Sequence, residues 1–141
     1  MLQISDIGAM QAIVDRSTFN RFLGLRVTAL DAEKLVLHMP WQAGLVSSPE
    51  LQSTHGGVLA TLVDVACDYA VAALVGHAVP TVDLRIDYHR IAKPGDLTVE
   101  ARVLHLGRTL ACAEAVVLDA AGARVASGRG QYLSSVGTAK K

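Results

Sequence analysis

One stretch constrains this chain more than any other: residues 58–75 are apolar throughout, interrupted only by Thr61, Asp64, Asp68 and Tyr69. Gly56-Gly57 opens the stretch and Gly76 follows it as a natural C′ residue, so it reads as a single helix. Its length approaches that of a membrane span, but each carboxylate near a bilayer centre costs roughly 2.5–3.5 kcal/mol, which the surrounding alanines do not offset. A helix hydrophobic on nearly every side has to be enclosed by other structure. The expectation is a buried helix of a soluble protein with no membrane partner. Met1-Leu2-Gln3-Ile4-Ser5-Asp6 has neither the basic region nor the apolar core of a secretory signal, so the cytoplasm is the expected address.

What encloses this helix follows from the rest of the chain. Residues 25–30 and 34–39 are short β-like runs around Asp31-Ala32-Glu33, and 79–88, 97–106, 110–118 and 123–133 are four successive strand candidates. Their joints carry turn residues: Lys93-Pro94-Gly95-Asp96, Gly107-Arg108 and Asp119-Ala120-Ala121-Gly122. Residues 110–118 are apolar on both faces apart from Glu114, which predicts a central strand or a subunit interface. Four consecutive strands without intervening helices exclude a doubly wound parallel sheet. An α+β domain remains, in which a curved antiparallel sheet wraps one long central helix. At 141 residues the chain is one domain, 1–141, with a short amphipathic helix at about 5–17, capped by Ser5, and a frayed tail at about 134–141.

The charge balance of 13 basic against 13 acidic residues predicts no general attraction to nucleic acid or anionic surfaces. Cys67 and Cys112 both lie in apolar runs and read as core thiols of a reducing compartment rather than a disulfide framework. The five histidines are too scattered for a zinc site, and no Gly-x-Ser-x-Gly elbow, P-loop or dinucleotide fingerprint occurs. No metal and no separate cofactor are expected.

The chemistry concentrates at the start of the apolar helix. His55-Gly56-Gly57 at a buried helix N-terminus presents backbone N–H groups with no side chains in the way, where the helix dipole adds roughly half a positive charge. Such a terminus suits a developing oxyanion. Asp64 lies two turns further in, where a carboxylate is expensive unless it is used or paired. Thr61, Asp64 and Asp68 fall within about 60° of one another on a single stripe. Gly57 and Asp64 are nevertheless about 10 Å apart along the axis, too far to act on one reacting atom. Either the two groups do unrelated jobs, or Gly57 of one subunit meets Asp64 of another in a symmetric oligomer.

His55-Gly56-Gly57 followed by Leu62-Val63-Asp64, with the acid nine positions after the histidine, resembles the signature of hotdog-fold acyl-CoA thioesterases of the phenylacetic-acid-degradation type. Thr81-Val82-Asp83-Leu84, Tyr88 through Lys93-Pro94-Gly95-Asp96, Gly107-Arg108-Thr109 and Ser127-Gly128-Arg129 agree in order, so the likeness runs from about residue 23 to 133. It implies a hotdog fold in a dimer or a dimer of dimers, hydrolysing acyl-CoA thioesters, with coenzyme A arriving as part of the substrate. Asp64 matches the family's catalytic carboxylate, acting as general base or nucleophile. Gly57 N–H then polarises the thioester carbonyl from the other subunit, His55 shapes that turn and Thr81 supplies a hydroxyl near the attacking water. The position six residues before the histidine, often Asn or Gln in the family, is Pro49 here, with Gln52 close by.

Around this centre, Gly56, Gln52, Thr61 and Asp68 are candidate substrate contacts, although Asp68 reads better as a structural or interface residue and Thr61 as packing. Arg90, Lys93 and Arg108 stand near turns where they can meet CoA phosphates or simply face solvent. Val58, Leu62, Val65, Tyr69 and Trp41 are candidates for the acyl pocket. Two rival functions are weaker. A hotdog hydratase or dehydratase needs a His–acid pair at the reacting carbon, and His55 lacks the Pro-rich loop that follows the histidine in hotdog dehydratases. A non-catalytic acyl-CoA-binding regulator is expected to carry an appended domain.

Overall fold

The computed structural model describes residues 1–135. In chain order the elements are α1 (Ile7–Val14), α2 (Thr18–Leu23), β1 (Arg26–Leu30), β2 (Leu35–Met39), a short 3-10 turn (Ala43–Leu45), α3 (Gly56–Val75), β3 (Thr81–Tyr88), β4 (Leu97–Leu106), β5 (Leu110–Leu118) and β6 (Arg124–Leu133). The strands form one antiparallel sheet in the order β1-β2-β4-β5-β6-β3, and α3 packs across β4, β5 and β6. This is the hotdog arrangement.

The sequence explains why the helix sits so close to the sheet. On β5, Ala111, Ala113, Ala115 and Val117 are buried while their neighbours are half-buried or exposed, a period-2 pattern with a small-residue inner face. α3 answers with its own buried Ala66, Ala70 and Ala73. β5 is central, as its two-sided apolar pattern predicts. β6 takes the same logic further. A Cβ on Gly128 would lie 2.4 Å from the Arg85 carbonyl oxygen and 2.9 Å from Val63, so only glycine lets the sheet bend this close to α3. At the far end of α3, Gly76 adopts φ 81° and returns its N–H to the Ala72 oxygen at 2.8 Å.

Three expectations need correction. The N-terminal helix is capped by Asp6 rather than Ser5, because the Asp6 carboxylate reaches the Ala9 N–H at 2.7 Å. A second helix, α2, follows it between the Ser17 cap and Gly24 at φ 69°, where the sequence reading placed no element. The tail begins later than 134: Ser134 is buried, donates its hydroxyl to the Gly107 oxygen at 2.8 Å and its N–H to the Thr109 oxygen at 2.9 Å. The remainder of that expected tail, 136–141, lies outside the described residues.

α3 is not enclosed equally on all sides. Leu59, Leu62, Val63, Ala66, Cys67, Ala70 and Val71 are buried, whereas Val58, Thr61, Asp64, Val65, Asp68 and Tyr69 form a stripe that is only partly covered. The stripe that carries both carboxylates is therefore the one the sheet leaves open.

Candidate active site

Asp64 projects from the middle of α3 and is met by two hydroxyls. Thr81, the first residue of β3, donates from Oγ1 to Asp64 Oδ1 at 2.9 Å. Tyr132, near the end of β6, places its phenol oxygen 3.2 Å from the same Oδ1 and 3.3 Å from the Asp64 main-chain oxygen. Thr81 and Tyr132 are directly paired across the β3–β6 ladder, so the sheet itself brings the hydroxyls together. A register shift between Thr81 and Asp83 makes this possible. Counting back by alternation from the half-buried Leu84 and Ile86, the inward residue opposite Tyr132 would be Val82. The bulge gives that place to Thr81 and leaves Val82 53% exposed.

Asp68, one turn further along α3, has no comparable partners. Among the described residues its buried Oδ1 has no hydrogen-bond partner. Burial, then the nearby charge of Asp64, push its carboxyl up to about 7, and the Val79 N–H counteracts this in part. Cys67 lies between the two, fully buried, with its thiol pushed up to about 12 chiefly by burial, so it is an inert core group rather than a nucleophile.

The second cluster gathers at the N-terminus of α3. His55 is the N-cap, and its Nδ1 accepts the Gly57 N–H at 2.8 Å. The expectation of unpaired N–H groups is corrected at this position: the imidazole folds over the first turn and takes the donor itself. The bond requires Nδ1 to be an acceptor, which places the ring proton on Nε2. Thr61 returns its hydroxyl to the Gly57 oxygen at 2.9 Å, and Tyr88 donates to the Gly56 oxygen at 2.9 Å. The Tyr88 ring crosses Gly56 so closely that a Cβ there would lie 3.3 Å from Cε1. Beside this turn lies an open groove of about 340 Å³ with Gly56, Leu59, Tyr88, His89 and Arg90 among its walls.

The other expected site residues are dispersed. Gln52, at φ 53°, commits its amide to the Pro49 carbonyl at 2.8 Å. Arg90 lines the groove next to Gly56, and Lys93 follows it in the turn before β4. Arg108 stands in the β4–β5 hairpin, which lies at the opposite end of the sheet, beside Leu133 and Ser134. Of the expected acyl-pocket residues, Leu62 is 1% exposed and belongs to the core instead. Tyr69 accepts from Asn20 at 3.0 Å, and the buried Trp41 Nε1 has no partner among the described residues. A hollow of about 800 Å³ on the outer face of the sheet is lined by other residues and does not include Asp64. It is a trough of opposed charges in which Glu114 is held by Arg102 and Arg129, and it has no chemistry of its own.

Residues 51–126, spanning α3 with Asp64 and its Thr81 partner, match the sequence profile of the thioesterase superfamily. The chain belongs to the thioesterase superfamily. A crystal structure of another protein of this superfamily is 53% identical and superposes with a TM-score of 0.88 over 90% of this chain and 96% of that one. Zebrafish thioesterase superfamily member 2 is 31% identical, with a TM-score of 0.77 over 90% of this chain and 94% of its own. A Halobacterium salinarum protein that bears a provisional esterase name is 34% identical over 87% of this chain and 88% of its own length. Membership in the thioesterase superfamily, with relatives named as esterases and thioesterases, supports thioester hydrolysis as the general activity of this thioesterase-fold protein.

Sequence reasoning missed Tyr132 and Tyr88. Tyr132 sits in the strand that carries Ser127-Gly128-Arg129 but outside that block, and the available signal was the pattern Gly128, Gly130, Tyr132 on one face: two glycines clearing space before a large polar aromatic. Tyr88 opens one of the blocks that carry the resemblance, but its place at the end of a strand gave no sign that its hydroxyl reaches the Gly56 turn.

Proposed function

We propose that this protein hydrolyses acyl-CoA thioesters to free acid and CoA, with Asp64 as general base. The reading rests on one observation: a carboxylate on the half-open stripe of an apolar helix, oriented by hydroxyls from two strands. Asp64 takes a proton from a water whose oxygen adds to the thioester carbonyl carbon. The oxygen of the resulting tetrahedral species gathers negative charge at the N-terminus of α3, where Gly57 N–H and the helix dipole oppose it. Collapse breaks the carbon–sulfur bond, and the departing CoA thiolate receives the proton held by Asp64. An anionic oxygen is a stronger acceptor than imidazole, so it takes the Gly57 N–H that His55 holds in the free protein. His55 keeps that donor aimed outward until then. The same bond disfavours the hydratase reading, since it occupies the ring nitrogen nearest the turn.

The site is shared between two subunits in this proposal. Within one chain, Asp64 lies at the Thr81 end of β3 and Gly56 at the Tyr88 end. β3 is an edge strand with an unpaired side. Antiparallel pairing of β3 with its own copy sets the Thr81 end of each chain against the Tyr88 end of its partner, bringing Asp64 to a partner Gly57 turn twice per dimer. The half-open stripe of α3 then becomes the wall of the acyl site. Arg90 and Lys93 from one subunit, and Arg108 from the other, approach the CoA phosphates in that arrangement. The protein acts in the cytoplasm and needs no cofactor beyond the CoA of its substrate. Incubation with a panel of aromatic, branched and medium-chain acyl-CoAs, followed by free-thiol detection, tests the proposal. Release of CoA by the native protein and its loss by at least about 10²-fold in Asp64→Asn is the expected result. A variant with native kcat on a good substrate overturns it.

A further inference from the structure

Tyr132 is 0% exposed, and its one polar atom is aimed at Asp64 from the side of α3 opposite the solvent. The position is built for it. A Cβ at Gly130, two residues earlier on the same face of β6, would lie 2.4 Å from the Tyr132 hydroxyl oxygen, so the ring lies flat over a residue that has no side chain. Thr81 arrives from the adjacent strand at the same register level, and both oxygens converge on Oδ1 of Asp64. No protein hydrogen bond reaches Oδ2 among the described residues. We infer that Tyr132 is a positioning residue, which with Thr81 clamps Asp64 Oδ1 and so assigns the base function to Oδ2. This rests on the proposed role of Asp64 and deepens it.

The clamp has chemical content beyond packing. A free carboxylate rotates about its last torsion and offers either oxygen, whereas two donors on one oxygen fix the plane and leave the other to accept the proton of water. Tyr132 has one proton and three neighbouring acceptors: Oδ1, the Asp64 main-chain oxygen and the Cys67 sulfur. The charged oxygen draws it most strongly, because hydrogen bonds to ionised acceptors are about twice as strong as neutral ones. Burial first, then Cys67 and Asp64, raise the phenol above its ordinary range, so at neutral pH it keeps its proton and donates.

Tyr132→Phe removes the hydroxyl and keeps the ring that fills the space. On the best substrate of the acyl-CoA panel, the expected result is a fall in kcat of about tenfold or more with KM unchanged, the size lost with a hydrogen bond to a charged group. Thr81→Val on the exposed side should show the same split, and Thr81→Ser should restore kcat. In an Asp64→Asn background, Tyr132→Phe should lower the residual rate no further, since the oxygen it aims is no longer a base. Native kcat in Tyr132→Phe, with Asp64→Asn inactive, overturns the clamp and leaves the Asp64 reading standing. A lowered melting temperature with native kcat does the same, because it assigns Tyr132 to packing alone. Full activity in Asp64→Asn instead removes the reading beneath it.

Discussion

Asp68 holds a buried, unpaired oxygen one turn from Asp64, and its carboxyl is pushed from 3.8 up to about 7. Between those values the folded chain keeps a proton that the unfolded chain has released. Stability therefore falls as pH rises from about 3.8 through about 7, and the cost is fully present above. Asp68→Asn should remove that slope, gaining about 1–3 kcal/mol over the native protein at pH 8 and little at pH 4, in urea titrations. It should keep most of the thioesterase activity, in contrast to Asp64→Asn. The two acids share a stripe, so the sequence marks both. What separated them was the spacing from His55, which carried the family resemblance and singled out Asp64. Tyr132 was illegible because its meaning depends on where β6 docks, and the inward pose of Thr81 depends on a bulge at Val82 that alternation argues against.

At the scale of elements the sequence was more legible. β4 and β5 run where the turn residues around them place their ends, and β3 and β6 differ only by a residue or two at their first positions. Turn chemistry is local, and local signals survive without knowledge of the fold. α2 escaped because six residues carry too little periodicity, although Ser17 and Gly24 bracket it as caps. The tight seat of β6 against α3 is likewise a tertiary fact, visible only as an excess of glycine. It gives a direct prediction. Gly128→Ala puts a Cβ 2.4 Å from the Arg85 backbone oxygen, which cannot swing aside as a side chain does. The expected loss is about 1–3 kcal/mol or more, read as a lower urea midpoint at unchanged m-value. Gly122→Ala, at φ 81° with open space around it, should cost only its backbone strain, about 1 kcal/mol.

For the whole molecule, the proposed sharing of Gly57 and Asp64 between subunits would make assembly part of the chemistry. Co-expression of Asp64→Asn chains with Gly57→Val chains should restore about a quarter of native activity, because half of the random dimers are mixed and each mixed dimer has one intact site of two. Neither variant should be active alone. Activity measured in an ultracentrifuge-verified monomer would defeat the shared site. Neutralising Arg90, Lys93 and Arg108 together should raise KM more for acyl-CoA than for acyl-pantetheine, which lacks the nucleotide phosphates; an equal rise for both argues against phosphate recognition. The strand order adds a consequence in time. β3 precedes β4, β5 and β6 along the chain, yet among the described residues its neighbour in the sheet is β6, the last of them to be synthesised. A ribosome that has finished α3 and β3 has already made Asp64 and Thr81, but β3 has no strand to join until the C-terminal strand emerges and Tyr132 with it. If Asp64 acts as proposed, the hydroxyl pair that orients it is complete only once β6 has been made.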